Sequence, residues 1–144
     1  MIQLQVKYLQ PDIEPLTYVA GKSDWIDLRA AREVSFEKGE FKLIPLGIAV
    51  KLPEGYEAHV APRSSTFKNF GLLQVNGVGV VDSSYCGDHD EWFVPMLATR
   101  AVTVRKGDRI CQFRILENQP ALEFVPVDHL DGEDRGGFGS TGIR

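Results

Sequence analysis

Residues 41–62 read FKLIPLGIAVKLPEGYEAHVAP, and their pattern decides the fold class. Apolar residues crowd positions 41–52, but Pro45 and Gly47 interrupt them. Proline cannot donate to a strand ladder and glycine weakens a strand interior, so an irregular or edge strand is expected there. Pro53-Glu54-Gly55 has turn composition, and YEAHVAP at 56–62 predicts the next strand. The same signal recurs outward from this stretch. Ile2, Leu4, Val6 and Tyr8 alternate with Gln3, Gln5 and Lys7, the pattern of a half-buried strand. Residues 91–99 and 102–105 predict further strands. Lys106-Gly107-Asp108 reads as a hairpin turn before RICQFRIL, and ALEFVPV at 121–127 as a last strand. Helix is invited in only two places: Asp24–Val34, equally readable as strand, and a single turn over Ser65–Asn69. Many short strands punctuated by Gly and Pro predict an all-β sandwich or barrel.

A chain of 144 residues forms one domain around one core. Hydrophobic residues at 43% and charged residues at 25% place it in the globular range. A net charge of −4 argues against a dedicated nucleic-acid binder, which would show a basic face. An anionic small molecule remains compatible, because a few local cations and amides suffice to hold one. No stretch is apolar enough to span a membrane, and MIQLQVKYLQ is too polar and regular for a signal peptide. Cys86 and Cys111 have neither CxxC spacing nor a His cluster, so they read as reduced thiols of a cytoplasmic protein. Ala20-Gly21-Lys22-Ser23 ends like a phosphate-binding P-loop, but Leu16 stands where the first Gly is required. His59, His89 and His129 are scattered without zinc spacing, and His59 reads as structural. After Asp128 the chain turns glycine-rich with no core pattern. The expected organisation is a β body over 1–128 and a C-terminal segment over 129–144 that stays mobile until something orders it.

Residues 77–88, GVGVVDSSYCGD, carry the chemistry. Apolar residues surround a lone carboxylate, Asp82, and Tyr85 follows in the same segment. The run looks buried, and an ionisable group in such a run marks a candidate site because an unpaired buried charge is costly. An Asp with an ordinary pKa of about 3.9 is ionised at neutral pH and can orient and deprotonate a water. Nearby, Asn76 offers an amide that both donates and accepts, and Gly77 and Gly79 permit close backbone approach.

Val80-Val81-Asp82-Ser83-Ser84-Tyr85-Cys86-Gly87 resembles the third motif of the trimeric deoxyuridine triphosphatases (dUTPases): a hydrophobic pair, Asp, two variable residues, Tyr, one variable residue, Gly. The other motifs of that family can be placed in order across most of the chain. They are Asp27-Leu28-Arg29-Ala30-Ala31, Pro62-Arg63-Ser64-Ser65, Gly107-Asp108-Arg109-Ile110-Cys111-Gln112, and Arg135-Gly136-Gly137-Phe138-Gly139-Ser140-Thr141-Gly142. Three departures stand out. Asp24-Trp25-Ile26 occupies the place of a small Ala-Gly pair, Ser65 stands where Gly is frequent, and Arg135 lies three residues before Phe138 where the family has five.

The resemblance implies a jelly-roll-like β-barrel, assembled as a homotrimer with shared sites. It implies hydrolysis of dUTP to dUMP and pyrophosphate, keeping uracil out of DNA and supplying dUMP. Asp82 would activate water for attack at the α-phosphorus, and Tyr85 would exclude a ribose 2′-hydroxyl. Asn76, with the backbone at Gly79, would read uracil. Arg63, Ser64, Ser65 and Gln112 would hold the phosphates, Ser64 donating to the oxygen that bridges the α- and β-phosphorus. Asp27 would help hold hydrated Mg²⁺. In the tail, Phe138 would stack on uracil, while Arg135, Gly139, Ser140 and Thr141 would gather the β- and γ-phosphates. Asp108 and Arg109 would brace a turn or a subunit contact. Two other readings are weighed. One is a dCTP deaminase-like enzyme, which needs a Glu near cytosine's amino group. The other is a regulatory binder that senses the nucleotide by tail closure.

Overall fold

The computed structural model describes residues 1–19, 21–139, 142 and 143. Its regular structure is almost entirely antiparallel strand. In chain order these are β1 (Gln5–Tyr8), β2 (Ile26–Arg29), β3 (Val34–Phe36), β4 (Phe41–Pro45), β5 (Ile48–Lys51) and β6 (Tyr56–Pro62). After the short helix α1 (Thr66–Phe70) come β7 (Leu72–Gln74), β8 (Gly79–Val81), β9 (Phe93–Ala98), β10 (Val102–Val104) and β11 (Arg109–Glu117). They pair as β2-β11-β6-β8, β4-β9-β7, β1-β5 and β10-β3. The all-β expectation holds.

The opening stretch behaves as its composition requires. The chain breaks between β4 and β5 at Gly47, where φ is +73°. A Cβ there would collide with Ile13 Cδ1 and lie 2.9 Å from Ala31 Cβ, so only glycine passes. β4 is an edge strand, which tolerates Pro45. On β6, Ala58 and Val60 face the core while Glu57, His59 and Ala61 are half-buried on the other face. Trp92 and Phe113 meet edge to face at the centre, 5.3 Å between ring centroids and 85° between planes. Such a pair adds about 0.5–1.5 kcal/mol to its area burial.

Asp24–Val34, equally readable as helix or strand, supplies β2 and the start of β3. Two expectations need correction. Lys106-Gly107-Asp108 does turn, with Gly107 at φ +89° and Asp108 N–H donating to the Arg105 carbonyl at 3.0 Å. It does not close a hairpin, because β10 pairs with β3 and β11 with β2 and β6. Residues 121–127 form no strand. Leu122, Phe124, Val125 and Val127 are exposed, Phe124 at 87%, because the single chain offers this segment no ladder partner. The single turn expected near Ser65–Asn69 is present as α1.

Candidate active site

Adjacent strands assemble the first cluster. Gln112 on β11 stands opposite Asp27 on β2 and Ala61 on β6. Strand β6 ends at Pro62 and delivers Arg63 to the same place. Arg63 Nε donates to Asp27 Oδ1 at 3.0 Å, and Arg109 Nη1 reaches Asp27 Oδ2 at 3.4 Å. Arg63 Nη1 also donates to the Arg109 carbonyl at 3.4 Å. Asp27 is therefore a half-buried carboxylate held by two guanidiniums, not a loose loop residue. Arg109, expected with Asp108 to brace a turn or a subunit contact, also reaches this cluster, and Asp108 braces the turn by accepting the Arg105 N–H at 2.9 Å.

Thr66 locks the loop from within. Its buried hydroxyl accepts the Arg63 N–H at 2.8 Å and donates to the Ile110 carbonyl at 3.1 Å. Gln112 Nε2 donates to the Pro62 carbonyl at 3.1 Å. The hydroxyls of Ser64 and Ser65 have no partner among the described residues, and Ser65 precedes α1 without a side-chain capping bond. Guanidiniums, an amide and open hydroxyls thus gather in one place. Such a donor set suits the oxygens of a polyanion.

A second cluster grows from the turn between β7 and β8, which pair with β9 and β6 rather than with each other. Gly77 carries φ +67°, and Val78 N–H donates to the Asn76 carbonyl at 2.7 Å. Gln74, which the sequence did not single out, pins the tip. Its Nε2 donates to the Val60 carbonyl at 2.9 Å and to the Gly77 carbonyl at 3.3 Å. The Asn76 amide has no hydrogen-bond partner among the described residues. A Cβ at Gly79 would stand 3.3 Å from both Asn76 Nδ2 and Val60 Cβ, which is tight.

Asp82 follows β8, and here the sequence reading of a buried run is corrected. Val80 is 62% exposed, and Asp82 and Tyr85 are also exposed in the single chain. The reason is that β8 is the edge of its sheet, pairing only with β6. Asp82 Oδ1 accepts the Ser84 hydroxyl and, at 2.9 Å, the Ser84 N–H. These bonds hold the Asp82 carboxyl below the usual carboxylate range, so it is ionised throughout the neutral range. Tyr85 donates its hydroxyl to the Glu91 carbonyl at 2.7 Å. Burial, with the Asp90 and Glu91 carboxylates nearby, pushes the phenol up and keeps it neutral. Asp82 and Tyr85 line one open pocket with Val60, Val81, Trp92 and Phe93.

The two clusters lie apart in one chain. Val81, just before Asp82, pairs with Ala58, whereas Arg63 follows Pro62 at the far end of β6. At a rise of about 3.3 Å per residue, Ala58 and Pro62 are about 13 Å apart. The tail joins neither cluster as a strand: Phe138 is fully exposed, with φ +44°, and Gly136, Gly137 and Gly139 also have positive φ. Arg135 and Gly139 are exposed. Ser140 and Thr141 lie outside the described residues. His59 pairs with Glu57 at 2.5 Å, as a structural histidine would. Cys86 and Cys111 are free thiols, and burial pushes the Cys111 thiol up. No helix of the described residues is long and apolar enough to cross a membrane.

Comparison with known proteins gives a consistent result. Residues 18–142 match the family model described as dUTPase. The chain is 54% identical over 143 residues to the SPbeta prophage-derived deoxyuridine 5'-triphosphate nucleotidohydrolase of Bacillus subtilis (strain 168), covering 99% of this chain and 100% of that one. It is 40% identical over 146 residues to the deoxyuridine 5'-triphosphate nucleotidohydrolase of Finegoldia magna, covering 96% and 99%. In fold it is similar to a variant dUTPase of Staphylococcus bacteriophage 80alpha solved with dUpNHpp. There the TM-score is 0.82 at 20% identity, with 99% of this chain and 100% of the other covered. A dUTPase from phage phi11 of S. aureus, described as coordinating a structural Mg(II) ion, gives a TM-score of 0.78 at 18% identity over 91% of this chain and all of its own.

Proposed function

Since the chain belongs to the dUTPase family, we propose that it hydrolyses dUTP to dUMP and pyrophosphate, with Asp82 activating the attacking water. The observation that carries the reading is the meeting of Asp27, Arg63 and Gln112 at neighbouring register positions, beside the unpartnered hydroxyls of Ser64 and Ser65. Arg63, Ser64, Ser65 and Gln112 bind the triphosphate. Asn76 pairs with uracil's polar edge while the backbone at Gly79 leaves no space for a methyl. Tyr85 lies under the sugar. A water in line with the leaving group loses a proton to Asp82 as its oxygen bonds to the α-phosphorus. The bond to the bridging oxygen breaks with inversion, and pyrophosphate departs carrying the charge. Ser64 donates to that oxygen, so its bond strengthens in the transition state.

The site is completed by neighbouring subunits of a homotrimer. The separation of Asp82 from the phosphate cluster along β6 supports this. So does the outer face of β4-β9-β7, where Phe41, Leu43, Leu73 and Phe93 stand 44–56% exposed. A contiguous apolar sheet face of this kind calls for a covering partner. The body spans 1–128, and 129–144 acts as a lid, bringing Arg135, Phe138, Gly139, Ser140 and Thr141 onto bound nucleotide. Closure would desolvate Asp82 and raise its basicity at the moment of use.

Mg²⁺ fits the phosphate cluster as a companion of the substrate. The described residues hold no group of three candidate metal ligands, and Asp27 is the cluster's central carboxylate. Triphosphate oxygens and retained waters would complete its shell, with Asp27 accepting from those waters. When bound, the ion supplies charge neutralisation on the triphosphate. The protein is read as cytoplasmic, with dUTP as its small-molecule partner and neither nucleic acid nor membrane. The deaminase reading finds no support: the carboxylate of Glu91, the first Glu after Tyr85, is engaged by the Gly47 N–H at 3.0 Å. No separate observation favours the regulatory reading.

The test is release of pyrophosphate from dUTP, dCTP, dTTP and UTP with Mg²⁺. Turnover of dUTP at least about 10²-fold above the others is expected, since a site that pairs the base's polar edge rejects mismatched patterns strongly. Equal turnover of dCTP, or ammonia release from it, would overturn the assignment.

A further inference from the structure

Glu91 is absent from every motif above, yet it connects the sugar-facing tyrosine to the rigid core. Its carbonyl accepts the Tyr85 hydroxyl at 2.7 Å. Its carboxylate Oε2 accepts the Gly47 N–H at 3.0 Å in a part-buried position. The next residue continues the same attachment: Trp92 N–H donates to the Ile48 carbonyl and Leu46 N–H to the Trp92 carbonyl, both at 2.9 Å. Gly47 is itself immovable, packed against Ile13 and Ala31 at a φ only glycine adopts readily. The acceptor that orients Tyr85 is therefore fixed from both sides. The Glu91 side chain fixes its start and the buried Trp92 its end.

The surrounding loop needs that anchor. Between Asp82 and Glu91 the hydrogen bonds are local, from Ser84 and the Tyr85 N–H to Asp82 and between Gly87 and Asp90. The tie outward to β1 is an exposed Lys7–Asp88 ion pair at 3.6 Å, which does not reach the core. Tyr85 is exposed along one face, and its side chain is hydrogen-bonded through the hydroxyl to Glu91, while its N–H stays within the loop on the Asp82 carbonyl at 3.2 Å. With Glu91 loosened, the ring would keep its contacts with the pocket wall but lose its angular setting.

We infer that Glu91 is a positioning residue for sugar discrimination: through its carbonyl it sets the Tyr85 ring at the height that admits deoxyribose and excludes a 2′-hydroxyl. This rests on the reading of Tyr85 as the sugar platform. A hydrogen-bond acceptor at the side chain, not a negative charge, is what the role requires. Glutamine should therefore serve and alanine should not.

The experiment measures kcat/KM for dUTP and for UTP in six full-length proteins: wild type, Glu91→Ala, Glu91→Gln, Tyr85→Phe, Tyr85→Ala and the Glu91→Ala, Tyr85→Phe double variant. Glu91→Ala and Tyr85→Phe are each expected to lower the dUTP/UTP ratio by roughly three- to tenfold, the weight of one hydrogen bond. Combining those two changes should add little beyond either alone, since both cut one linkage. Glu91→Gln should keep the wild-type ratio. A loss of folded protein would reduce both substrates together and leave the ratio unmoved, so the ratio separates positioning from stability. A wild-type ratio in Glu91→Ala, with Tyr85→Ala relaxed, would overturn the role of Glu91. A wild-type ratio in Tyr85→Ala would instead overturn the sugar-platform reading on which it rests.

Discussion

Asp82→Asn is expected to lower kcat for dUTP by about 10²–10⁴-fold while the nucleotide still binds. The amide has the size of the carboxylate and can still accept from Ser84, so the turn at 82–85 should persist. What it cannot do is take the proton of the attacking water. The Ser84 hydroxyl and N–H hold the Asp82 carboxyl low, so the base is ionised well below neutral pH. Its protonation should therefore not limit the rate between pH 6 and 8. Activity that depends on Asp82 should fall away only on acidification below the usual carboxylate range, as the depressed pKa requires. The checks are single-turnover kinetics and nucleotide binding for the variant, with a pH profile for the wild type. A correctly folded Asp82→Asn protein with near-wild-type kcat would remove Asp82 from this role.

Deletion of residues 134–144 is expected to cost on the order of 10²-fold or more in dUTP turnover, because it removes the groups proposed to fix the triphosphate and exclude water. Strand structure ends at Glu117, and the described residues beyond it are exposed. Melting temperature and the native mass of three chains should therefore change little. Size-exclusion and melting curves beside the activity assay decide the matter. Full activity would make the tail a flexible end. Loss of the trimer would make it a structural strap, and its role as a lid would have to go.

The fold class was legible because strand alternation is a local signal. The break at Pro45 and Gly47 was legible because it rests on backbone sterics alone. The missing strand at 121–127 shows the limit of that logic: β-forming residues make a strand only where a ladder partner exists, and the single chain provides none. The hairpin expected at 106–108 failed similarly. A turn sequence fixes the reversal of the chain but not which strand pairs with which. In the site, motif residues such as Asp27, Arg63 and Gln112 were singled out by their resemblance to the family's motifs. Their meeting depends on the register of β11 against β2 and β6, which no local pattern encodes. The Arg109–Asp27 contact was not foreseen for this reason, since it joins two strands distant in sequence. Asp82 was found for a partly mistaken reason. The apolar run around it suggested burial, yet Val78 and Val80 are exposed while Val81 packs against the core, as alternation on an edge strand requires. Gln74, Thr66 and Glu91 act through side-chain hydrogen bonds to backbone groups, and ordinary polar residues give no sign of that.

The central claim is that each active site takes Asp82 from one subunit and the tail from another. Mixed trimers test it most directly. Asp82→Asn chains with intact tails are refolded together with chains that keep Asp82 but lack 134–144. Each parent is nearly inactive. If the sites are shared, the mixture contains some that combine an intact Asp82 with an intact tail, and dUTP hydrolysis rises well above the sum of the two parents. If Asp82 and the tail of one chain serve the same site, no complete site can form, and a mixture no more active than its parents would contradict the account.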